Sequence, residues 1–304
     1  MELAQKLAML ASAAKYDASC ASNGGSASNE GARYSGRTGL GSNVPAGVCH
    51  SWTSDGRCVS LLKLLFSNVC RYDCAYCVNR VSADIPRCSF SPDELVKITV
   101  EFYRRNYIEG PFLSSGIFTD PDIVMNRLIE TARKLRQEAG FGGYIHLKAI
   151  PGAGPKSLRE ARLRARWISA NIELPSQESL SILAPQKSGR EILGTMAAFA
   201  DFSAEREEDA RRLKSVPPFA PAETSTQLVV EVARKLTGGS LNLSGSLYRK
   251  YKLRRVYYSA YVPIQGALPS FLPPLASVPP LLREHPVCIR PTGSFASRDL
   301  PMNW

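Results

Sequence analysis

The sequence has no apolar run approaching the roughly 20 residues that a membrane-spanning helix needs. No membrane partner is therefore expected. It also lacks a secretory start: in MELAQKLAMLASAAKYD, Glu2 stands where a signal would carry positive charge, and Lys6 interrupts the short apolar approach. Nothing repeats at the spacing of a solenoid. Acidic residues are the scarcer charge, 27 against 38 Lys and Arg, for a net +11 over 304 residues. That balance favours anionic partners, nucleic acid foremost, although a basic soluble enzyme would show it equally. A second CxxC is also missing, so the two-pair ligand set of a structural zinc site is incomplete.

Eight cysteines are present, at positions 20, 49, 58, 70, 74, 77, 88 and 288. Without a secretory signal, a reducing cytoplasm is the expected location, and clustered thiols read as metal ligands rather than disulfides.

Three zones are expected along the chain. Residues 1–47 hold one short helix (1–17) and then a Gly-, Ser- and Asn-rich irregular segment. Residues 48–264 alternate strand-like and helix-like stretches. VSLLKLLFS (59–67) is a continuous apolar run suited to a strand buried on both faces. Five further strand candidates follow, at 111–118, 143–152, 166–175, 224–233 and 254–264. The expected helices begin at the Ser91/Glu94 capping box and at Asp120-Pro121, with Gly140 as a stop. They continue at 156–165, 176–184 and 189–215. Six β units joined mostly by helices predict an α/β parallel sheet, doubly wound or curled toward a barrel. Residues 265–304 are Pro-rich without periodicity and read as an extended tail.

Chemistry concentrates in FSNVCRYDCAYCVNR (66–80), where Cys70, Cys74 and Cys77 follow the first buried strand directly. A four-iron cluster takes four thiolates. Three leave one iron without a protein ligand, a position that the amino and carboxylate groups of S-adenosylmethionine can fill. One electron from the cluster then splits the sulfonium and yields a 5′-deoxyadenosyl radical. A zinc site or an incidental CxxC is the competing reading.

The spacing CxxxCxxC, with Tyr76 just before the last cysteine, resembles the radical S-adenosylmethionine superfamily. The stretches KYDASCASNG, VCHSWTSDGRC, GYIHLKAIPGA, PFAPAETSTQLVV and LRRVYYSAYVPI resemble a bacterial subfamily described as DNA modification or repair radical SAM proteins, distantly similar to spore photoproduct lyase. The resemblance runs over about residues 3–285 and implies a partial (β/α)6 TIM-type barrel. It implies that Cys70, Cys74 and Cys77 bind a 4Fe-4S cluster and that Tyr76 lies against the adenine or the cluster. Ser114, Ser115 and Gly116 occupy the place of the superfamily's Gly-rich methionine-binding motif, although the usual Gly-Gly-Glu is absent. Asn171 and Glu173 alternate on one strand face, as do His146 and Lys148. Of these, Asn171, Glu173 and Lys148 are candidate S-adenosylmethionine contacts; a salt-bridged or edge residue is the alternative for each. The resemblance also implies an electron donor such as flavodoxin or ferredoxin.

The remaining signals are weaker. Cys20, Cys49 and Cys58, with His50, are a conceivable second metal site; Cys88 reads as a buried thiol. KSLREARLRARW carries Lys156, Arg159, Arg162, Arg164 and Arg166 and suits either an anion or a solvated helix face. In YRKYKLRRVYY, Arg249, Lys250, Lys252, Arg254 and Arg255 interleave with Tyr248, Tyr251, Tyr257 and Tyr258. There the cations would pair with phosphates and the rings would stack on bases, with DNA the expected partner. The subfamily's usual C-terminal helix-hairpin-helix region is not recognisable after PPLLREH, which reads as a truncation. The alternatives to a DNA-acting radical enzyme are a radical enzyme acting on RNA or a peptide, and a non-catalytic metal-binding nucleic-acid module.

Overall fold

A computed structural model of the chain describes residues 1–14, 22–23, 47–52, 57–213, 224–230, 237–260 and 287–289. Cys20, most of the Gly/Ser-rich segment and nearly all of the Pro-rich tail lie outside these residues.

One sheet of nine strands runs in strict chain order. β1 (Ser22–Asn23) and β2 (Val48–Trp52) lead into β3 (Cys58–Leu65), β4 (Gly110–Ser114), β5 (His146–Lys148), β6 (Trp167–Ser169), β7 (Thr224–Val230), β8 (Arg255–Ala260) and β9 (Val287–Ile289). β3 to β8 are all parallel neighbours. These six are the strands that the apolar runs predict. β1 and β2 add antiparallel strands before them, and β9 adds another after β8. None of the three is expected from the sequence: they are short, and their residues do not alternate in hydropathy.

The connections are helical, so each parallel strand returns over the same face of the sheet. α1 (Leu3–Ala14) precedes the sheet; α2 (Pro92–Arg104), α3 (Pro121–Gln137), α4 (Pro155–Arg164), α5 (Gln177–Leu183), α6 (Gly189–Arg212) and α7 (Thr237–Tyr251) lie between strands. Local chemistry sets most boundaries. Ser91 Oγ accepts from the Glu94 N–H while the Glu94 carboxylate accepts from the Ser91 N–H, closing the expected capping box. Asp120 caps α3, with Pro121 in its first turn. Gly140 takes φ +59° just beyond that helix, the left-handed turn that a C-terminal glycine provides. α7 is absent from the sequence reading. TGGSLNLSGSLYRKY has low intrinsic helix preference, and the packing of Leu243, Leu247 and Tyr251, each no more than 5% exposed, carries it instead.

Side chains alternate across the strands. Leu62, Leu64, Leu113, Leu147, Ile168, Leu228, Val256 and Tyr258 face the helices in the main core. The opposite face forms a curled interior. Its lower end, at the strand N-termini, is closed by an apolar cluster that includes Leu61, Phe112, Tyr144 and Trp167. Above this the interior turns polar. His146 stacks on Phe112 at 4.0 Å and shares a 2.9 Å hydrogen bond with Ser169. Trp167 Nε1 donates to Ser225 Oγ at 2.7 Å. The fold thus leaves its polar residues facing inward and upward, toward the strand C-termini, where α/β barrels place their sites.

Candidate active site

A cavity of about 210 Å³ opens at the C-terminal ends of the parallel strands. Cys70, Cys74, Cys77 and Tyr76 line one wall. Ser114 ends β4 and Ser115 and Gly116 follow it on an adjacent wall; Lys148 ends β5, and Asn171 and Glu173 follow β6. Every candidate cofactor residue from the sequence is brought to this one space. His146 is not: it lies one layer deeper, against Phe112.

The cysteine loop is held by its own backbone contacts. A bridge joins Ser67 to Ser89 where the loop leaves and rejoins the barrel. Arg87 donates to four carbonyl oxygens across the loop, those of Asn68 (2.7 Å), Asn79 (2.9 Å), Arg80 (2.6 Å) and Ala83 (2.9 Å). Asn68 adds a donor to Pro86 O and an acceptor for the Cys88 N–H. Farther along, the Ala75 N–H donates to Leu183 O at the end of α5. Backbone N–H groups of Tyr72 and Asn79 approach the sulfurs of Cys70 and Cys77 at 3.4 Å.

Gly116 fixes the loop from the other side. A Cβ there would meet Val69 O at 2.4 Å and Ser67 O at 3.2 Å, and the Gly116 N–H donates to Ser67 O at 2.8 Å. The small residue is therefore required by the approach of the cysteine loop itself.

Glu173 has φ +68°, a conformation that non-glycine residues take up rarely. Its backbone bridges to β7, with its N–H on Gln227 O and its C=O accepting from the Val229 N–H at 2.7 Å. The twist brings its carboxylate into a 2.9 Å ion pair with Lys187 Nζ. Lys187 also donates to the Tyr76 hydroxyl at 3.3 Å and sits 5.5 Å from that ring's centre. Sequence reasoning missed Lys187. It belongs to the turn between α5 and α6, beside the Ser188 cap, where no periodicity marks it. Gln227 and Ser259, also missed, continue the wall: Asn171 Nδ2 donates to Gln227 Oε1 (3.3 Å), and Gln227 Nε2 to Ser259 Oγ (3.1 Å). Alternation along β7 and β8 would have placed both on the inner face.

Burial pushes the Cys74 thiol up to about 12, with Lys187 drawing it back and Cys77 and Glu173 adding to the rise. Cys77 is raised for the same first reason. Burial, then Glu173, holds the Tyr76 hydroxyl well above its ordinary range. Burial pulls the Lys187 ammonium down, but Glu173 and Tyr76 more than offset this, and it stands well above the ordinary lysine value.

Among the described residues, no three His, Cys, Asp or Glu side chains surround a point that one ion could occupy. Five buried side-chain polar atoms among the described residues have no hydrogen-bond partner. Three of them, Asn79 Oδ1, Ser114 Oγ and Asn171 Oδ1, belong to residues lining this cavity. Buried acceptors without partners are costly unless a ligand supplies donors. A ligand bearing ammonium or hydroxyl groups beside the thiols fits that set.

The other candidates separate. Cys49 is buried in the lower apolar cluster, Cys58 is exposed at the start of β3, and the Cys88 sulfur lies 3.3 Å from Met9 Sδ. They do not assemble a second metal site among the described residues. Two cations of α4 are engaged with α6, and Arg164 pairs with Glu160 inside α4. Arg162 is buried and donates to Phe199 O, and Arg159 pairs with Glu205. The second basic stretch also differs from its expected use. Arg255 is 3% exposed and lies over the Trp167 ring at 4.9 Å, so it is not a phosphate contact. Tyr251, Tyr257 and Tyr258 are buried, and Tyr248 OH accepts from the Val256 N–H; these rings are packed rather than offered to bases. Arg249, Lys250, Lys252 and Arg254 remain on the outside, at the strand N-terminal end, opposite the cavity.

No protein-family model and no curated protein matches the chain. Solved structures do. The crystal structure of methylornithine synthase (PylB) aligns with a TM-score of 0.50 at 16% identity, over 67% of this chain and 54% of that one. The FeFe-hydrogenase maturase HydG from Carboxydothermus hydrogenoformans aligns at 0.48 and 16% identity, over 68% and 46%. The radical S-adenosylmethionine methyltransferase TsrM from Kitasatospora setae, solved with cobalamin and a 4Fe-4S cluster, aligns at 0.46 and 11%, over 66% and 37%. The chain spans about half the length, or less, of these structures. The likeness to methylornithine synthase is one of fold: a partial TIM-type α/β barrel.

Proposed function

We propose that the chain is a radical S-adenosylmethionine enzyme. The observation that carries this reading is the convergence of Cys70, Cys74 and Cys77 with the partnerless acceptors of Ser114, Asn171 and Asn79 on one cavity. In this reading the three thiolates hold a 4Fe-4S cluster, and Ser114, Ser115, Gly116, Lys148, Asn171 and Glu173 hold S-adenosylmethionine beside it. The bound pair supplies reductive cleavage of the sulfonium and a 5′-deoxyadenosyl radical that abstracts hydrogen. The chain's own part is to orient. The Gln227–Ser259 chain fixes the Asn171 amide, which leaves its Oδ1 as the acceptor turned to the ligand. The apolar floor beneath keeps bulk water out of the interior. An electron donor such as flavodoxin or ferredoxin supplies the reducing equivalent.

The finer reading is DNA modification or repair. It rests on the subfamily resemblance and on the net charge of +11. Arg249, Lys250, Lys252 and Arg254 are exposed at the end of the barrel away from the cavity, with Lys252 3.9 Å from Glu207. A cytoplasmic location accompanies this reading; among the described residues, no helix is long and apolar enough to cross a membrane.

Anaerobic reconstitution tests the core. Bound iron and sulfide near four each, with conversion of S-adenosylmethionine to 5′-deoxyadenosine under dithionite, is expected. A protein carrying zinc alone, or iron whose spectrum ignores S-adenosylmethionine, refutes it. Deuterated DNA, RNA and peptide substrates then separate the finer readings by which of them transfers deuterium into 5′-deoxyadenosine.

A further inference from the structure

We propose that Lys187, paired with Glu173, is the positioning residue that sets how readily a cluster on Cys70, Cys74 and Cys77 accepts an electron. This rests on the reading of those three cysteines as cluster ligands. Lys187 comes from the α5–α6 turn and reaches two other parts of the chain. It donates to Glu173 Oε1 at 2.9 Å, where β6 has ended, and to the Tyr76 hydroxyl at 3.3 Å, inside the cysteine loop. The pair is largely buried, with side-chain exposures of 18% and 13%. Glu173 holds a left-handed backbone to make it. A strained residue persists where the surrounding structure has a use for what the strain places.

The position matters because Lys187 and Glu173 line the same cavity as Cys70, Cys74 and Cys77. Tyr76, which Lys187 contacts, stands between Cys74 and Cys77 in the loop. Reduction of a cluster adds one negative charge. A partly buried cation nearby favours that charge, and a carboxylate disfavours it, with little solvent screening of either. The lysine therefore raises the potential and the glutamate moderates it. The hydrogen bond to Tyr76 adds a fixed distance, because it ties the cation to the loop that carries the sulfurs.

The test is a potentiometric titration of the reconstituted protein, followed by the electron paramagnetic resonance signal of the reduced cluster. Lys187→Met is expected to move the potential to more negative values. Lys187→Arg, which keeps the charge, is expected to remain close to the unaltered protein. The double variant Lys187→Met/Glu173→Gln is expected to return most of the way. Should Lys187→Met assemble no cluster, Glu173→Gln reads the same effect with opposite sign, a more positive potential. An unchanged potential in Lys187→Met, or a double variant that keeps the full shift, overturns the proposal. So does a fall in cluster content with no shift in potential, since that is what a purely structural role gives. Failure of the unaltered protein to bind any cluster overturns the proposed function as well, so the two failures are distinguishable.

Discussion

Gly116→Ala is the smallest change expected to disturb the site. The added Cβ would stand 2.4 Å from Val69 O, and ordinary contact begins near 3.4 Å. The carbonyl must therefore retreat by roughly 1 Å, and Val69 is the residue immediately before Cys70. Retreat is hindered, because the neighbouring Gly116 N–H···O=C Ser67 and Arg71 N–H···O=C Ile117 bonds fasten the same backbone at 2.8 Å. Overpacking of this kind costs about 1–3 kcal/mol. A displacement of about 1 Å at reacting groups is enough to lower a rate by about 100-fold. The expected result is a urea midpoint lowered in proportion, reduced iron retention after desalting, and S-adenosylmethionine cleavage down by one to two orders of magnitude. Gly194→Ala, in α6, is the matched control. Nothing lies within 4 Å of its added Cβ, so it is expected to be neutral or stabilising by up to about 1 kcal/mol. If Gly116→Ala retains iron and midpoint as well as Gly194→Ala does, the claim that this glycine seats the cysteine loop is wrong.

Arg87→Met removes four charge-assisted hydrogen bonds to loop carbonyls; with bonds of about 1.5–3 kcal/mol each acting non-additively, a net loss near 3 kcal/mol is expected, together with loss of bound iron. Arg255→Met is expected to destabilise the fold by about 2–4 kcal/mol while leaving the salt dependence of DNA binding unchanged, because the guanidinium is buried on Trp167. Lys252→Met, on the surface, is expected to do the reverse, shortening the salt slope with little change in melting temperature. In the metal-free protein the folded state holds thiol protons at Cys74 and Cys77 that the unfolded chain releases near the ordinary thiol value. That contribution is complete below pH 9 and declines as pH rises toward 12, so the melting temperature should fall over this window, and Cys74→Ser should flatten the fall.

Much of this was legible one residue at a time. The run at 59–67, the capping box at Ser91, the Asp120-Pro121 start and the three-cysteine spacing are local facts: each depends on neighbours within a few positions, and the structure meets them in place. The inward position of Lys148 followed from strand alternation, whereas Asn171 lies past the end of β6. What failed to show has a common cause. α7 has a poor helical sequence and forms because its apolar face is buried. Tyr257 and Arg255 look like a nucleic-acid surface in a string of basic and aromatic residues, yet they face the barrel interior, which depends on which side of β8 is covered.

Sequence alone determined the six parallel strands, their connecting helices other than α7, and three thiols within eight residues at the end of the first strand. Only the tertiary structure decided that Lys187, over a hundred positions from the cysteines, stands beside Tyr76, and that Glu173 twists to meet it. Spacing and propensity report on backbone a few residues long. Contacts between separate loops at the mouth of a barrel depend on how the strands curl, and no local pattern encodes that.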